Sequence, residues 1–545
     1  MRRLLSPEWV LSGLLFAFGG AYLGFLFADF GAIVRGIYLN ADVAAAPVIG
    51  QLYGEAPNSA SVVLGFLPWY TTLWFELATR HVPFHAELWE VAPWVASVAG
   101  IAAVAWATAK AAGRWASALV AFVLVCAGPA LLKVQFAFDY HGATAVDVCF
   151  LDAFLVLLVT RQGRIGGRLF HLLLCGFVTA GTAAGVASDN LLVLAGLIPF
   201  LAAGLVVTLL VPRAIGQRVA LTVVGVGALS VVGAQIVTSA MHSQHVYAAQ
   251  RRTIFAPWDQ ITPNIRKTVE SIASLFNADF GGAAVGWRSL LAFASAFVLA
   301  CAVVFASSAT RSWCAEVRLH LHTRSVDASA SSAARAVQLT YWPVSAAMPV
   351  LASVLSSVPD MNTGRYFISA AYGVPVVAAV TLARNGFRRR LIATAGACVL
   401  ALGSAVALGA RDIQSNQGHY PTNDFASFLH TFALVEGLKY GYAAYWVAVP
   451  LTWETRGQVE VYPTLQCRSP FGLCTYPLHE ISSWYAPRAS TRTFLVVDPR
   501  YGPGDPGTKL GGPEKVVSYG EDTIYVYGYD IAANFGDWRR YPAAS

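Results

Sequence analysis

Only 12% of the residues in this chain are charged, and most of them fall in short segments between long apolar runs, so each carboxylate there is a candidate for chemistry. Asp42, in YLNADVAAAP, is flanked by Ala41, Val43 and Ala44 to Ala46, with no cation beside it. A poorly hydrated carboxylate suits a general base. The other reading is a helix N-cap, because an Ala-rich stretch follows. QFAFDYHGATAVD places Asp139 and His141 together, as an acceptor-binding pair or an aid to proton transfer, with interfacial solvation and helix capping as the other reading. Asp189, in SDN, and Asp279, in FNADFGG, divide between turn formation and contact with an acceptor. Asp147 and Asp152 fall inside an apolar run, where a carboxylate is a functional candidate by default.

Arg365, in PDMNTGRYFISAAYG, has the planar fork that matches phosphate oxygens. Its alternatives are snorkelling to an interface or pairing with Asp360. Arg251, Arg252, Arg266 and Lys267 are further phosphate candidates, with solvated surface as the other reading. Cys467 and Cys474 bracket a Ser-Pro-Phe-Gly turn and predict a disulfide. Zinc would need two more ligands, and only His479 is near. Metal binding is therefore left unknown: no cofactor is certain, and a divalent metal has no support in the sequence. GxxxxGK[ST], GxSxG and HExxH are all missing, so there is no sequence case for a nucleotide-driven pump, an esterase elbow or a zincin helix.

These residues must be positioned by a membrane bundle. Mean hydropathy is +0.55, and 56% of residues are hydrophobic against 12% charged, well below the roughly one quarter charged in soluble domains. Runs of about 20 residues, enough to cross a bilayer, occur at 9–28, 91–109, 115–134, 143–160, 169–187, 190–211, 219–240, 286–307, 337–356, 366–383 and 391–409. Arg and Lys cluster in every second loop, which orients the N-terminus to the cytoplasm and residues 410–545 to the outside. The expected fold is an all-α polytopic bundle of about eleven transmembrane helices, residues 1–409, including outer loops 29–90 and 241–285. A small extracytoplasmic α/β domain, 410–545, follows.

The apolar stretch 62–79 is expected to be an interfacial helix, because Pro68, Trp69, Tyr70, Trp74 and Glu76 suit the headgroup level. In the tail, a helix is expected at 424–439 and strands at 442–449, 458–462, 493–497 and 523–529. The net charge of +7 does not point to nucleic acid, since residues 410–545 hold 11 Lys and Arg against 13 Asp and Glu. The excess lies in the bundle, where orientation explains it.

One span, an outer loop with a Tyr-Leu-Asn-x-Asp sequence, an aromatic helix, about ten further spans and an outer C-terminal domain resemble the GT-C glycosyltransferases. These include protein O-mannosyltransferases and the aminoarabinose transferases of bacterial lipid A. The resemblance implies a plasma-membrane enzyme that inverts configuration while moving a sugar from a polyprenyl-phosphate carrier to an extracytoplasmic glycan, lipid or protein. It makes Asp42 the base, and Arg365 and Tyr366 the contacts to the donor phosphate. Many members carry two adjacent acidic residues where this chain has Asp42 followed by Val43. The rival readings are a transporter or flippase for a lipid-linked saccharide, with charges deep in several spans, and a non-catalytic scaffold.

Overall fold

The computed structural model describes residues 7–28, 33, 41–55, 60–64, 91–136, 141–163, 165–248, 254–280, 285–323, 329–357, 364–410, 423–467, 472–489, 491–501 and 510–537. The chain divides into two compact units. The first comprises Met1–Phe30, Ala92–Val237 and Arg252–Arg411; the second comprises Gly31–Val91, Thr238–Arg251 and Asp412–Ser545. Residues 31–91, expected to belong with the bundle, thus cluster with the C-terminal segment.

The first unit is a helical bundle. Nine helices among the described residues are long and apolar enough to cross a membrane: Pro7–Ala28, Val91–Ala112, Gly142–Thr160, Arg168–Ser188, Val193–Leu210, Arg213–Ser243, Trp287–Leu319, Gly364–Leu382 and Phe387–Gly409. This is a multi-pass membrane architecture. The expected span at 115–134 is instead two helices, Arg114–Val125 and Pro129–Phe136, bent by 97°. The cause is local. Pro129 opens the second helix, where its missing N–H costs nothing, and the Asn277 side chain occupies the space a Cβ on Gly128 would need.

The expected span at 337–356 lies in a continuous helix, Ala330–Leu355, that is not among the nine. Its Gln338, Tyr341, Trp342 and Ser345 are buried. It packs against Ile368–Leu382, Ile198–Leu210 and Gly142–Thr160. An enclosed helix faces protein where others face lipid, so polar side chains that find partners are tolerated there.

The second unit is built on a six-stranded sheet ordered β5-β4-β3-β7-β9-β8. Its strands are β3 Tyr440–Ala444, β4 Glu460–Gln466, β5 Leu473–Thr475, β7 Thr493–Val497, β8 Lys515–Tyr519 and β9 Asp522–Tyr527. β3 pairs in parallel with β4 and β7, and the other pairings are antiparallel. The helix Tyr445–Glu454 makes the crossover between β3 and β4 that a parallel pair requires. This corrects the expected strand at 442–449, which ends at Ala444 and continues as helix. Gly441 is fixed by the close approach of Phe494, whose carbonyl and ring occupy the place of a Cβ.

Strand alternation sends side chains to two cores. On one face, Ala443, Val461, Phe494, Val496, Ile524 and Val526 pack beneath the helices Asn423–Glu436 and Tyr445–Glu454. On the other, Tyr440, Tyr442, Tyr462, Leu495 and Tyr527 pack with Ala44, Ala45, Val48, Ile49 and Leu52 of the helix Ala41–Glu55. A second, three-stranded sheet joins β1 Val62–Leu64 between β2 Val246–Ala248 and β6 Glu480–Ile481. Residues 62–64 are therefore strand and not the start of an interfacial helix, because two distant segments satisfy their backbone groups. Residues 65–79 lie outside the described residues.

Candidate functional site

In the bundle, three residues nominated separately by the sequence come together. His141 stands at the N-cap of Gly142–Thr160 and is 5% exposed. Its Nδ1 lies 2.5 Å from Asp189 Oδ2, in the turn after Arg168–Ser188. The Thr144 hydroxyl, one turn along the same helix, donates to the same oxygen, and the Leu191 N–H donates to Asp189 Oδ1 at 2.9 Å. Burial alone would raise the Asp189 carboxyl, but His141 and these donors outweigh it and hold the group below the usual carboxylate range. Asp189 thus acts as an orienting acceptor, and it fixes the imidazole through Nδ1.

The Tyr366 ring packs on that imidazole, with centroids 4.6 Å apart. Tyr366 belongs to the 3-10 turn Gly364–Phe367, which also carries Arg365. The Arg365 guanidinium sits 5.6 Å from the Tyr366 ring centroid. A cation, an oriented imidazole and a phenol therefore share one end of the bundle. Such a group can bind an anion and move a proton.

Deeper along Gly142–Thr160, Asp147 packs against Gly185, where a Cβ would meet its Oδ2 at 2.6 Å. Asp152 is fully buried. Gln338 Nε2 donates to both of its oxygens at 2.7 and 2.8 Å, and Trp342 Nε1 donates at 3.2 Å. This carboxylate ties two helices together. The preceding turn is tied too, since the Tyr341 hydroxyl donates to Val148 O at 2.8 Å.

Asp42 lies in the first turn of Ala41–Glu55, inside the helix and not at its cap. It is 4% exposed and accepts a hydrogen bond at 3.1 Å from the Tyr445 hydroxyl. Tyr445 stacks on Tyr476, with ring planes 4° apart and centroids 4.7 Å apart, and on His479 at 5.6 Å. Both stacking residues follow Cys474, which forms a disulfide with Cys467 across a Cα separation of 5.8 Å. Burial pushes the His479 imidazole down to about 3, so it is neutral at physiological pH.

Asp279 is exposed, two residues after Asn277, which adopts a left-handed backbone. Asp139, Asp360, Arg251 and Arg252 lie outside the described residues. Arg266 and Lys267 are exposed, and Arg266 pairs with Glu270 at 2.8 Å. No group of three or more His, Cys, Asp and Glu side chains among the described residues is placed to hold a metal ion. Thr144 and Tyr445 were not singled out in the sequence. Thr144 was within reach, because a residue three past His141 shares its helix face; Tyr445 had no local signal. No protein-family model, curated protein or solved structure matches this chain.

Proposed function

We propose that this protein is an integral membrane glycosyltransferase that moves a sugar from a polyprenyl-phosphate carrier to a glycan, lipid or protein acceptor. The observation that carries the reading is the cluster of His141, Asp189 and Tyr366 with Arg365 at one end of the bundle. In the reaction an acceptor hydroxyl loses its proton and its oxygen attacks the anomeric carbon. The bond from that carbon to the phosphate oxygen breaks, the carrier phosphate leaves, and configuration inverts. Arg365, with Tyr366, holds the phosphate and stabilises the charge it gains. His141, oriented by Asp189, binds the acceptor, with Asp139 and Asp279 as further contacts. The resemblance to GT-C enzymes assigns the deprotonation to Asp42.

A second reading, transport of a lipid-linked saccharide, draws support from the buried Asp152 with its Gln338 and Trp342 donors, since intramembrane carboxylates mark translocation paths. Purified protein in vesicles containing a series of polyprenyl-phosphate hexoses separates the two. Release of free polyprenyl phosphate that depends on an added acceptor supports transfer. Movement of the intact carrier between leaflets, with no release against any acceptor class, would sink the transferase reading.

A further inference from the structure

The helix Trp258–Leu275 has three chemically distinct faces. The face against the bundle is unusually polar: Asn264 Nδ2 donates to Val354 O and Ser356 O at 3.1 and 3.0 Å, and the Thr268 and Ser353 hydroxyls bond at 3.0 Å. Ser271 and Leu275 are buried beside them. A second face carries Asp259, Arg266, Lys267 and Glu270, all exposed. The third is apolar yet uncovered. Trp258, Ile265 and Val269 recur at helical spacing and are 92%, 47% and 60% exposed, and Ile254 and Phe255 just before the helix are 66% and 84% exposed.

This is the reverse of an ordinary surface helix, which turns its apolar stripe to the core. Nor is the apolar edge a loose end. The Ala256 N–H donates to Leu355 O at 2.8 Å and the Ser357 N–H donates to Ile254 O at 3.0 Å, so the backbone beneath Phe255 is fastened to the end of Ala330–Leu355. We infer that Trp258–Leu275 lies flat in the headgroup layer of one leaflet, at the Arg365 end of the bundle, with its Trp258, Ile265 and Val269 edge in the acyl region. The partner is the bilayer itself.

Two observations favour lipid over a protein occupant. The three faces match the three surroundings of a helix lying at a bilayer surface beside a bundle: protein on one flank, hydrocarbon below and water above. The next helix, Trp287–Thr323, continues the same character, with Leu290, Phe293 and Phe297 each more than half exposed, and Phe293 meets Phe280 edge to face at 5.5 Å. The charged face sums to zero, from Asp259 and Glu270 against Arg266 and Lys267. Attachment should therefore depend little on lipid charge. The placement also bears on Arg365, because Leu275 and the Ser271 carbonyl pack directly on Gly364, the residue before it.

The test places a photoreactive benzophenone side chain at position 258, 265 or 270 of the full-length protein in phosphatidylcholine and phosphatidylglycerol vesicles. Adducts are read by intact mass after illumination. Positions 258 and 265 should give lipid adducts at least about fivefold above position 270, as expected for an interfacial helix, with little difference between the two lipids. Equal lipid labelling at all three positions, or a mass corresponding to a second copy of the chain at 258 or 265, would overturn the inference. So would the lack of any lipid adduct at 258 and 265 in protein that elutes as the parent does. The readout is binding alone, so it does not depend on the proposed transfer reaction.

Discussion

The Tyr445 hydroxyl reaches Asp42 Oδ1 at 3.1 Å across 403 residues of sequence. Tyr445 opens a crossover helix in the C-terminal sheet and Asp42 stands in the first turn of a helix in the first long loop, so one bond fastens the two helices at their N-terminal ends.

That bond separates a chemical role from a structural one. Asp42→Asn keeps an oxygen for Tyr445 but cannot take a proton at neutral pH. If Asp42 is the base, transfer should fall by at least about 100-fold with an unchanged unfolding temperature. Tyr445→Phe should instead lower stability by about 1 kcal/mol and leave most of the turnover. Near-parent activity of Asp42→Asn would remove Asp42 from the reaction and turn attention to His141, for which His141→Gln is the matching variant.

Arg365→Lys preserves charge and reach but loses the planar two-donor fork. With subsaturating prenyl-phosphate sugar, kcat/KM should drop at least about tenfold, or roughly 1.4 kcal/mol of transition-state stabilisation. A variant equal to the parent would leave Arg365 only an anchoring role.

His479 predicts a pH dependence of stability. An unfolded histidine takes its proton near about 6.5, whereas burial delays this to about 3 in the folded protein. Between these values the unfolded chain binds the additional proton. Stability is therefore full above about pH 7 and declines as pH falls towards 3. Thermal unfolding of the parent and of His479→Phe across that range should show a shallower acid decline in the variant. Parallel curves would mean that other groups govern the loss.

Cys467 and Cys474 should resist a thiol reagent until a reductant is added. Cys314 is exposed towards the end of its helix, and Cys301 and Cys398 are exposed on the faces of membrane helices, so the measurement uses a variant with those three replaced by Ala. Labelling of Cys467 and Cys474 without reductant would contradict the bond. If the reagent reaches them only from the cytoplasmic side, the expected orientation of the chain fails as well.

The apolar runs were legible because hydrocarbon imposes one length and one polarity on every span: among the described residues nine of them fall in helices long and apolar enough to cross a membrane, and a tenth falls in the continuous helix Ala330–Leu355. The break at 126–128 also had a signal, the Gly128-Pro129 pair. It was outweighed by the apolar residues on either side. The disulfide was readable because both cysteines and their turn are local. The strand expected at 442–449 failed beyond Ala444 because YWVAV has strand propensity, while the crossover between β3 and β4 needs a helix there. For the candidate site, His141 and Asp189 were identifiable from their own segments and Tyr366 only through the GT-C resemblance, but their meeting depends on three separate helix ends and has no local trace. Tyr445 is one tyrosine among 22, and only the folded sheet distinguishes it.

The sheet of β1, β2 and β6 has a consequence for biosynthesis. Val62 pairs with Val246 on one side and Ile481 on the other. The ribosome delivers the first strand long before the last, and the long apolar helices that separate them in the chain are made in between. Through that interval Val62–Leu64 offers an open edge of the kind that invites pairing with foreign chains, and closing such distant contacts is slow. Completion of the sheet must wait for residue 481. A chain that stops before β6 therefore leaves that edge uncapped, so the exposure of one short strand in the first long loop is set by a segment more than 400 residues away.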